Sequence, residues 1–481
     1  MSVALPPSSS AAPLDLTGSK PRIVLKLALP TVLAMLAQSA VNEVDIIFFA
    51  WLGCPGSSFA QATLLPCLLL LWMFGGSLSA ISVGTQALAA RRFAGGQSED
   101  AGAVLANSWM FSLVAGIVFT LFGYLVIPHV LGVLVRSPEV RAVGTSYLNY
   151  RLLGITSMAV TFSFKAFFDG IGKTQVHMVA SVIMNVINVA LCVTFIFGKF
   201  GAPQMGMAGA GLAGAASSWI GLVVMVAWAG LSQYRKRFKP FDVRGYSREL
   251  LGRILRLSVP SAIATIAVMS GFMLFAMIVS RLDSMMHTRL IAPDCPGGKP
   301  EAVNGAATTV IVGVLKLTFT ACLAFGTSTA TLVSQCLGSG KTDEAEQFGW
   351  TSVKLGLLIF GVVGLLEGVI LTEPILHLVT KSHAVYHAAR MPMRMMGLAT
   401  PLIAVGMILT QALFGAGNTR FVMFVELILH FCCLVPLAWL LGITLGFGLV
   451  GIWSAALAYV VLLTSVMVWK FRSGDWKTIK L

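Results

Sequence analysis

Twelve long apolar runs dominate this sequence, and they constrain the fold more than any other feature. Each run holds about 20 mostly apolar residues, the length that an α-helix needs to cross a bilayer core of roughly 30 Å. A closed β-barrel would instead show short alternating segments. The pattern therefore predicts an all-α polytopic membrane protein with twelve transmembrane helices. The runs lie near residues 27–50, 60–84, 103–129, 143–165, 175–198, 205–230, 255–281, 305–332, 348–372, 387–412, 421–444 and 448–470.

The composition agrees with this prediction and excludes most soluble enzymes and disordered proteins. Of the 481 residues, 57% are hydrophobic and only 11% are charged, whereas soluble domains carry about 25% charged residues. The net charge of +14 favours loops that meet anionic lipid, because no nucleic-acid-binding motif accompanies it. We expect the lipid bilayer and a small-molecule substrate as partners, with no nucleic acid, no metal and no cofactor.

The distribution of basic residues predicts the orientation. With the N-terminus in the cytoplasm, the cytoplasmic segments hold twenty Lys and Arg residues and the outer segments hold ten. Because cytoplasmic loops are enriched in these residues, we expect both termini in the cytoplasm and the protein in the cell inner (plasma) membrane. Residues 1–24 are interpreted as a flexible cytoplasmic tail and 471–481 as a cytoplasmic C-terminal tail.

An internal repeat divides the chain into two halves. AARRFAGGQSEDA (89–101) aligns without gaps to VSQCLGSGKTDEA (333–345), and GIGKT (170–174) matches GAGNT (415–419). This predicts an N-lobe at 25–230 and a C-lobe at 255–470, each with six helices, joined by a cytoplasmic linker at 231–254. Since six is even, the lobes share one orientation and are related by pseudo-two-fold symmetry along the membrane normal. Such a repeat is typical of secondary transporters.

Several stretches resemble the multidrug and toxic compound extrusion (MATE) family. The first helix, LALPTVLAMLAQSAVNEVDIIFFAWLG (27–53), resembles the family's Pro, Asn-x-x-Asp and Leu-Gly pattern, and FDGIGKTQ and LFGAGNTR resemble its Gly-rich turn. The likeness covers residues 25 to 470 and is closer to the bacterial DinF-like branch. It implies twelve helices in two lobes, a central cleft, and export driven by a proton or sodium gradient. It implies no enzyme activity, and we expect a monomer.

The candidate ion-coupling residues lie on the first and fifth helices. Asn42 and Asp45, together with Gln38, form one polar stripe on an otherwise apolar helix. A carboxylate inside the bilayer is costly and marks a functional site, so Asp45 is our candidate proton-binding group. Asn185 and Asn188 lie one turn apart on the fifth helix, and Asn188 matches the family's fifth-helix Asn. The structural alternative is an Asp that only holds helices together.

The candidate substrate cavity combines Gln38 and Asp45 with Glu426 and His430. Glu426 and His430 are four residues apart on the eleventh run, so they could relay protons or form a neutral helix contact. The remaining carboxylates within runs, Glu43 and Glu367, are interpreted as edge or structural groups. The same holds for Lys165 with Asp169, an interfacial ion pair on the fourth run.

The choice between protons and sodium follows from the resemblance. Sodium-binding members carry an Asp and a Thr where this chain has Cys192 and Gly214, and the NorM-like branch carries a Glu where this chain has Val268. These departures favour proton coupling. The alternatives are a sodium-coupled drug exporter, a lipid-linked precursor flippase, a membrane enzyme and a scaffold.

A disulfide between Cys54 and Cys295, both in Cys-Pro-Gly turns, is a further hypothesis.

Overall fold

The structure is a computed structural model that describes residues 18–51, 67–68, 70–134, 138–242, 245–286, 289–290, 301–380 and 382–481. Side chains at 40–47, 50, 133–134, 286, 289–290 and 301–302 lie outside the description. Cys54 and Cys295 also lie outside the described residues, so their pairing stays a prediction.

Helices fill most of the described chain, and those that follow the predicted spans are numbered α1 to α12. They are α1 (Lys20–Ala50), α2 (Ile81–Ala94), α3 (Ser98–Leu134), α4 (Pro138–Leu152 and Ile155–Gly170), α5 (Gln175–Phe197), α6 (Met207–Gly230), α7 (Arg248–Met286), α8 (Val303–Gly338), α9 (Thr342–Leu365), α10 (His383–Gly415), α11 (Thr419–Ile428 with its continuation to 444) and α12 (Gly448–Ser473). Ten of these are long and apolar enough to cross a membrane, and the two parts of α4, bent by 46°, make an eleventh.

Short elements interrupt or join these helices. They are the α-helices Ser77–Ser79, Ser232–Phe238, Thr372–Val379 and Val435–Trp439, the π-helical turns Trp72–Gly76, Leu366–Ile370, Leu429–Leu434 and Leu440–Thr444, the 3-10 helix Asp475–Thr478, and the antiparallel strands β1 (Arg289–Leu290) and β2 (Glu301–Ala302).

The repeat seen in the sequence is also present in the backbone. Gly96 and its repeat equivalent Gly340 have φ angles of 82° and 77°, and Gly172 and Gly417 have φ angles of 76° and 86°. Left-handed φ values favour glycine because other residues place a Cβ against the backbone there. The turns after the second and fourth helices of each half therefore share one conformation, which explains why their glycines match in the sequence.

One face of α3 is apolar and exposed. Val114, Val118, Leu121 and Leu125 recur at helical spacing with exposures of 62%, 55%, 61% and 71%. An exposed apolar face of this length is suited to lipid rather than water. The helix thus lies at the outside of the bundle, as expected for a membrane-embedded protein.

The segment after α12 is folded onto the bundle. Trp476 is fully buried and stacks on Phe471 with ring centroids 4.7 Å apart. The segment preceding α7 is ordered in the same way, since Phe238 of the short helix Ser232–Phe238 is fully buried. Hydropathy alone misses such segments because their buried aromatic residues alternate with charged ones.

The turn that follows α12 is held by polar contacts. The Lys470 ammonium lies 2.9 Å from the Asp475 carboxylate, and the Ser473 hydroxyl donates to the same carboxylate at 3.2 Å. The hydrogen bond from Lys470, followed by that from Ser473, holds the pKa of Asp475 below its usual range. These contacts cap the chain where it leaves the helix.

Candidate functional site

The two halves meet at the end of the bundle where α1 begins and α12 ends, which we call the base. The Arg91 guanidinium of α2 donates to the carbonyl of Ala416, just after α10, at 2.8 Å. The Gln335 amide of α8 donates to the carbonyl of Gly170, at the end of α4, at 2.6 Å. Arg91 and Gln335 are repeat equivalents. Each half therefore reaches across to the other with the same position of its second helix.

A second set of polar contacts joins α2 to α8 within this interface. The Gln86 amide donates to the Thr327 carbonyl at 3.0 Å and to the Thr331 hydroxyl at 2.8 Å. Thr331 in turn donates to the backbone carbonyl of Asp169 at 3.1 Å. All three side-chain bonds cross between the halves, so the base is closed in this conformation.

The first helix is anchored to both halves at one backbone atom. The carbonyl of Leu27 accepts from the hydroxyl of Thr174 in the first half at 3.4 Å and from that of Ser328 in the second half at 3.2 Å. Pro30 lies in the same part of α1 and cannot donate a backbone hydrogen bond. The base end of α1 is therefore held between the halves.

Two helices approach closely enough at the base to require glycine. A Cβ placed on Gly338 of α8 would overlap the backbone of Arg91 on α2. On the same helix, a Cβ on Gly313 would meet no atom within 4 Å. The closed base thus depends on the absence of a side chain at Gly338, and Gly313 provides a neutral comparison.

The sequence predicted a polar site on α1 and α5, and the structure describes its α5 residues together with Ser217 of α6. The Asn188 amide donates to the Ser217 hydroxyl at 3.1 Å, and the Cys192 thiol lies 3.7 Å from the Asn188 carbonyl oxygen. Asn185, one turn below on the same helix, is buried, and its Nδ2 has no hydrogen-bond partner among the described residues. A buried amide donor without a partner is costly, so this site is polar and incomplete.

The side chains of Asn42 and Asp45 lie outside the described residues, but the positions of both along α1 follow from contacts at each end. Leu27 meets Thr174 near the base, and the Phe48 and Phe197 rings lie 5.9 Å apart at the other end. Both helices rise by about 1.5 Å per residue, so residues can be counted along α1 and α5 from either contact. By this count Asn188 lies at the same height as residues 39–41 of α1, and Cys192 lies at the same height as residues 43–45. Position 45 therefore lies about one turn beyond Asn188.

Gln38 lies on the part of α1 whose side chains are described, and its side chain is exposed. The adjacent Ser39 is buried, and its hydroxyl lies 3.5 Å from the Thr320 hydroxyl of α8. At this level α1 therefore has one side on the second half and another side open. The structure does not bring Gln38 together with Glu426 or His430 in any of its hydrogen bonds among the described residues.

Arg151 is a residue that the sequence analysis missed. Its guanidinium lies 3.5 Å from the Ser218 hydroxyl of α6, and it occupies the space beside Gly214, where an added Cβ would lie 2.9 Å from the guanidinium carbon. Arg151 lies near the start of the fourth predicted run (143–165) and was not considered among the charges inside the runs. The sequence signal that could have indicated Arg151 is Gly214, because a glycine has no side chain and leaves room for a large one from a neighbouring helix.

Glu426 and His430 are brought together in the second half, as the sequence predicted, and Tyr459 of α12 joins them. The Tyr459 hydroxyl donates to Glu426 Oε2 at 2.8 Å, and His430 Nδ1 lies 3.4 Å from the same oxygen. Glu426 is 7% exposed and His430 is fully buried. His430 lies in the π-helical turn Leu429–Leu434, a distortion that is frequent at functional sites.

Three further ionisable groups within the helices, Glu367, Lys165 and Asp169, have internal partners. The Thr318 hydroxyl donates to Glu367 Oε1 at 2.6 Å, a partner that helix spacing alone did not reveal. Lys165 forms an ion pair with Asp169 at 2.7 Å, and the two side chains are only 10% and 2% exposed. That ion pair is therefore packed inside the protein rather than extended toward water.

Comparison with known proteins identifies the family. The MatE family model matches residues 30–194 and 301–440, one block in each half. The chain belongs to the MatE family of transporters. It is 24% identical over 474 residues to a probable multidrug resistance protein NorM from Thermotoga maritima, covering 94% of this chain and 92% of that one. It is 25% identical over 464 residues to the multidrug resistance protein MdtK of Yersinia pseudotuberculosis, covering 94% and 95%.

Solved structures share the fold of this MatE chain. A MOP superfamily transporter from Pyrococcus furiosus has a TM-score of 0.83 at 19% identity, covering 95% of this chain and 96% of that chain. An outward-facing MATE family transporter of the MOP superfamily has a TM-score of 0.82 at 19% identity with the same coverage. The predicted all-α fold of two six-helix lobes is confirmed. The placement near the DinF-like branch stays a prediction.

Proposed function

We propose that this MatE chain is a secondary active antiporter that exports amphipathic or cationic small molecules in exchange for protons by rocking of its two lobes. The observation that carries the proposal is the reciprocal pair at the base, Arg91 to Ala416 and Gln335 to Gly170. A symmetric interface made of a few side-chain hydrogen bonds can open without unfolding either half. Alternating access requires two such global states with different affinities for cargo.

The proposal places the base in the cytoplasm. Basic residues are concentrated there, in the segment from Arg235 to Arg256 and at the ends of α1 and α12, as the positive-inside rule expects. A closed base then means that cargo is released to the outside from this conformation. Export follows if protons enter the first-half site while it faces outward and leave it while it faces the cytoplasm.

Proton coupling is supported by the surroundings of Gly214. A sodium ion needs several oxygen ligands, whereas the space beside Gly214 is taken by the Arg151 guanidinium, which offers only hydrogen-bond donors. The nearby Asn188 amide is already engaged with Ser217 and Cys192. A proton on Asp45 needs no further oxygen ligands.

The substrate class is proposed from the relatives together with the composition of this chain. NorM and MdtK are named as multidrug resistance proteins, and this chain holds 22 Met and 29 Phe residues. Flexible Met and aromatic side chains suit binding of varied apolar cations. The bilayer is the expected environment and a monomer the expected state.

The test uses inverted membrane vesicles that contain the protein and are acidified inside. Ethidium should accumulate in the lumen, and dissipating the pH gradient with nigericin should abolish the accumulation. An imposed sodium gradient of either direction should leave it unchanged. Accumulation that follows the sodium gradient and persists without a pH gradient would contradict proton coupling, and no accumulation under either gradient would contradict export of such cations.

A further inference from the structure

We infer that Glu426, His430 and Tyr459 form a second proton-binding site, in the second half of the molecule, so that each transport cycle carries two protons. The inference rests on the proposed function and deepens it. It is carried by the geometry of the three side chains and by their relation to the polar site of the first half.

Two of the three residues, His430 and Tyr459, occupy positions that mirror the polar site of the first half, whereas Glu426 corresponds to Ser181. The turns GIGKT and GAGNT set an offset of 245 between α5 and α11, which makes His430 the equivalent of Asn185. Gly206 and Gly448, at the starts of α6 and α12, both have positive φ angles, of 56° and 60°. Their offset of 242 makes Tyr459 the equivalent of Ser217.

The unpartnered atoms coincide as well. Asn185 Nδ2 and His430 Nε2 are both buried without a hydrogen-bond partner among the described residues. The repeat thus preserves one buried polar position in each half while changing its chemistry. At the two matched positions the first half holds an amide and a hydroxyl, whereas the second half holds an imidazole and a phenol.

The helix that packs against these residues, α7, lacks an acid at the position equivalent to Asp45, whereas α11 carries one. Proline motifs align Asp45 of α1 with Phe275 of α7, so the seventh helix offers no carboxylate at the equivalent position. Gly271 of α7 lets the imidazole approach closely, since an added Cβ would lie 2.5 Å from His430 Cδ2. In the second half the carboxylate therefore comes from the fifth helix of the repeat instead of the first.

The hydrogen bonds fix the protonation roles. His430 Nδ1 faces the backbone carbonyl of Glu426 at 2.9 Å and the Glu426 carboxylate at 3.4 Å. Both are acceptors, so Nδ1 carries the ring hydrogen and Nε2 presents a lone pair. Tyr459 donates to Glu426 Oε2, which suits an ionised carboxylate. The cluster then bears one negative charge, and one proton on either Glu426 or Nε2 neutralises it.

Among the residues that the structure describes, no other charged side chain on the helices packed against the cluster balances that negative charge. The sequence of α7 holds no titratable side chain between Arg256 and Arg281, and α10 holds none after Arg394. On α12 the one titratable residue before Lys470 is Tyr459, and on α11 the others near the cluster are Cys432 and Cys433. A buried negative charge is costly in a membrane. Binding of a proton relieves this cost.

The experiment measures how steep an ethidium gradient a known pH difference can hold. Purified protein is reconstituted in liposomes with the membrane potential set to zero by valinomycin and equal potassium. For a pH difference of one unit, exchange of two protons per ethidium holds a gradient of about 100-fold, whereas one proton holds about 10-fold. We expect about 100-fold for the unchanged protein and about 10-fold for Glu426→Gln. The matched control Glu367→Gln, a second carboxyl in the same half, should stay near 100-fold.

The outcomes separate this inference from the proposed function. A Glu426→Gln protein that still holds about 100-fold, or an unchanged protein that holds only 10-fold, overturns the second proton site and leaves proton-driven export standing. An Asp45→Asn protein that holds the full gradient contradicts the role of Asp45 and leaves the second site standing. If the ethidium gradient held by Glu367→Gln also falls to 10-fold, the loss follows from removing any buried carboxyl, and the second proton site is overturned.

A binding measurement covers the case in which Glu426→Gln does not transport. Calorimetric titration of tetraphenylphosphonium in detergent, in buffers of different ionisation enthalpy, counts the protons released on binding. Tyr459→Phe keeps the carboxylate and the imidazole, so it should still release two protons but with the release shifted in pH. Release of one proton by the unchanged protein, or an unshifted pH profile in Tyr459→Phe, would overturn the inference.

Discussion

Replacement of Arg91 by Ala tests whether the base is held closed by bonds between the halves. The Arg91 guanidinium makes two such bonds, to the carbonyls of Ala416 at 2.8 Å and Ile479 at 2.7 Å. A hydrogen bond from a charged donor contributes about 1.5–3 kcal/mol. Because Arg91 is only partly buried, we take the lower value for each bond, which gives about 3 kcal/mol in total.

That free energy sets the size of the effect. A loss of about 3 kcal/mol raises the population of the open base by roughly 100-fold, since each 1.4 kcal/mol is a factor of ten. Amide hydrogen exchange reports such openings directly. We expect exchange in the peptides that cover 86–95 and 331–341 to accelerate by up to this factor in Arg91→Ala.

The neighbouring arginine provides the control for this variant. Arg92 has the same charge, but its guanidinium donates to the carbonyl of Asp100 at 3.3 Å, within the same half. Arg92→Ala should therefore leave exchange at the base within about twofold of the unchanged protein, a difference of roughly 0.4 kcal/mol. Equal acceleration in the two variants would show that charge, and not the bonds across the interface, holds the base closed.

Three further predictions follow from individual residues. Gly338→Ala should hold the base open and reduce ethidium transport about 10-fold or more, which corresponds to a barrier increase of at least about 1.4 kcal/mol. Gly313→Ala should transport normally. Equal transport rates of the two variants in vesicles would refute the close approach of α8 to α2 at Gly338. Gly214→Thr should lower the melting temperature in detergent, because the new side chain crowds Arg151. Adding Arg151→Ala should restore part of the lost melting temperature. No recovery in the double variant would show that the two side chains do not compete for the space between α4 and α6. The pKa of Asp475 is depressed in the folded protein. Its contacts should therefore persist at pH values above the ordinary carboxyl pKa near 3.8 and weaken only as the pH falls below that value. Hydrogen exchange of residues 470–481 that already rises between pH 7 and 5 would contradict this.

The helices and the repeat could be predicted because each leaves a local signal. Apolar length marks a span, and a glycine needed for a left-handed turn recurs at the same place in each half, as Gly96 and Gly340 do. The pairing of Glu426 with His430 was also readable, since a spacing of four places both on one helix face.

Contacts between distant segments could not be predicted in this way. Tyr459 joins Glu426 from 33 positions away, and nothing in its own surroundings in the sequence marks it as a partner. Arg151 was not predicted as a site residue, because the room for its side chain is provided by Gly214 on α6, 63 positions away in the sequence. Such residues depend on which helices pack together, and a single sequence does not specify that.

The central claim is that the two halves rock so that the base opens and closes, and that protonation of Asp45 selects between these states. Spin labels at Gln97→Cys and Lys341→Cys, on a background without the eight natural cysteines, report the distance between equivalent turns of the two halves. The account predicts two distances in lipid whose proportions change between pH 5.5 and 8.5, and no such change in Asp45→Asn. A single distance at every pH, or the same pH response in Asp45→Asn, would contradict it.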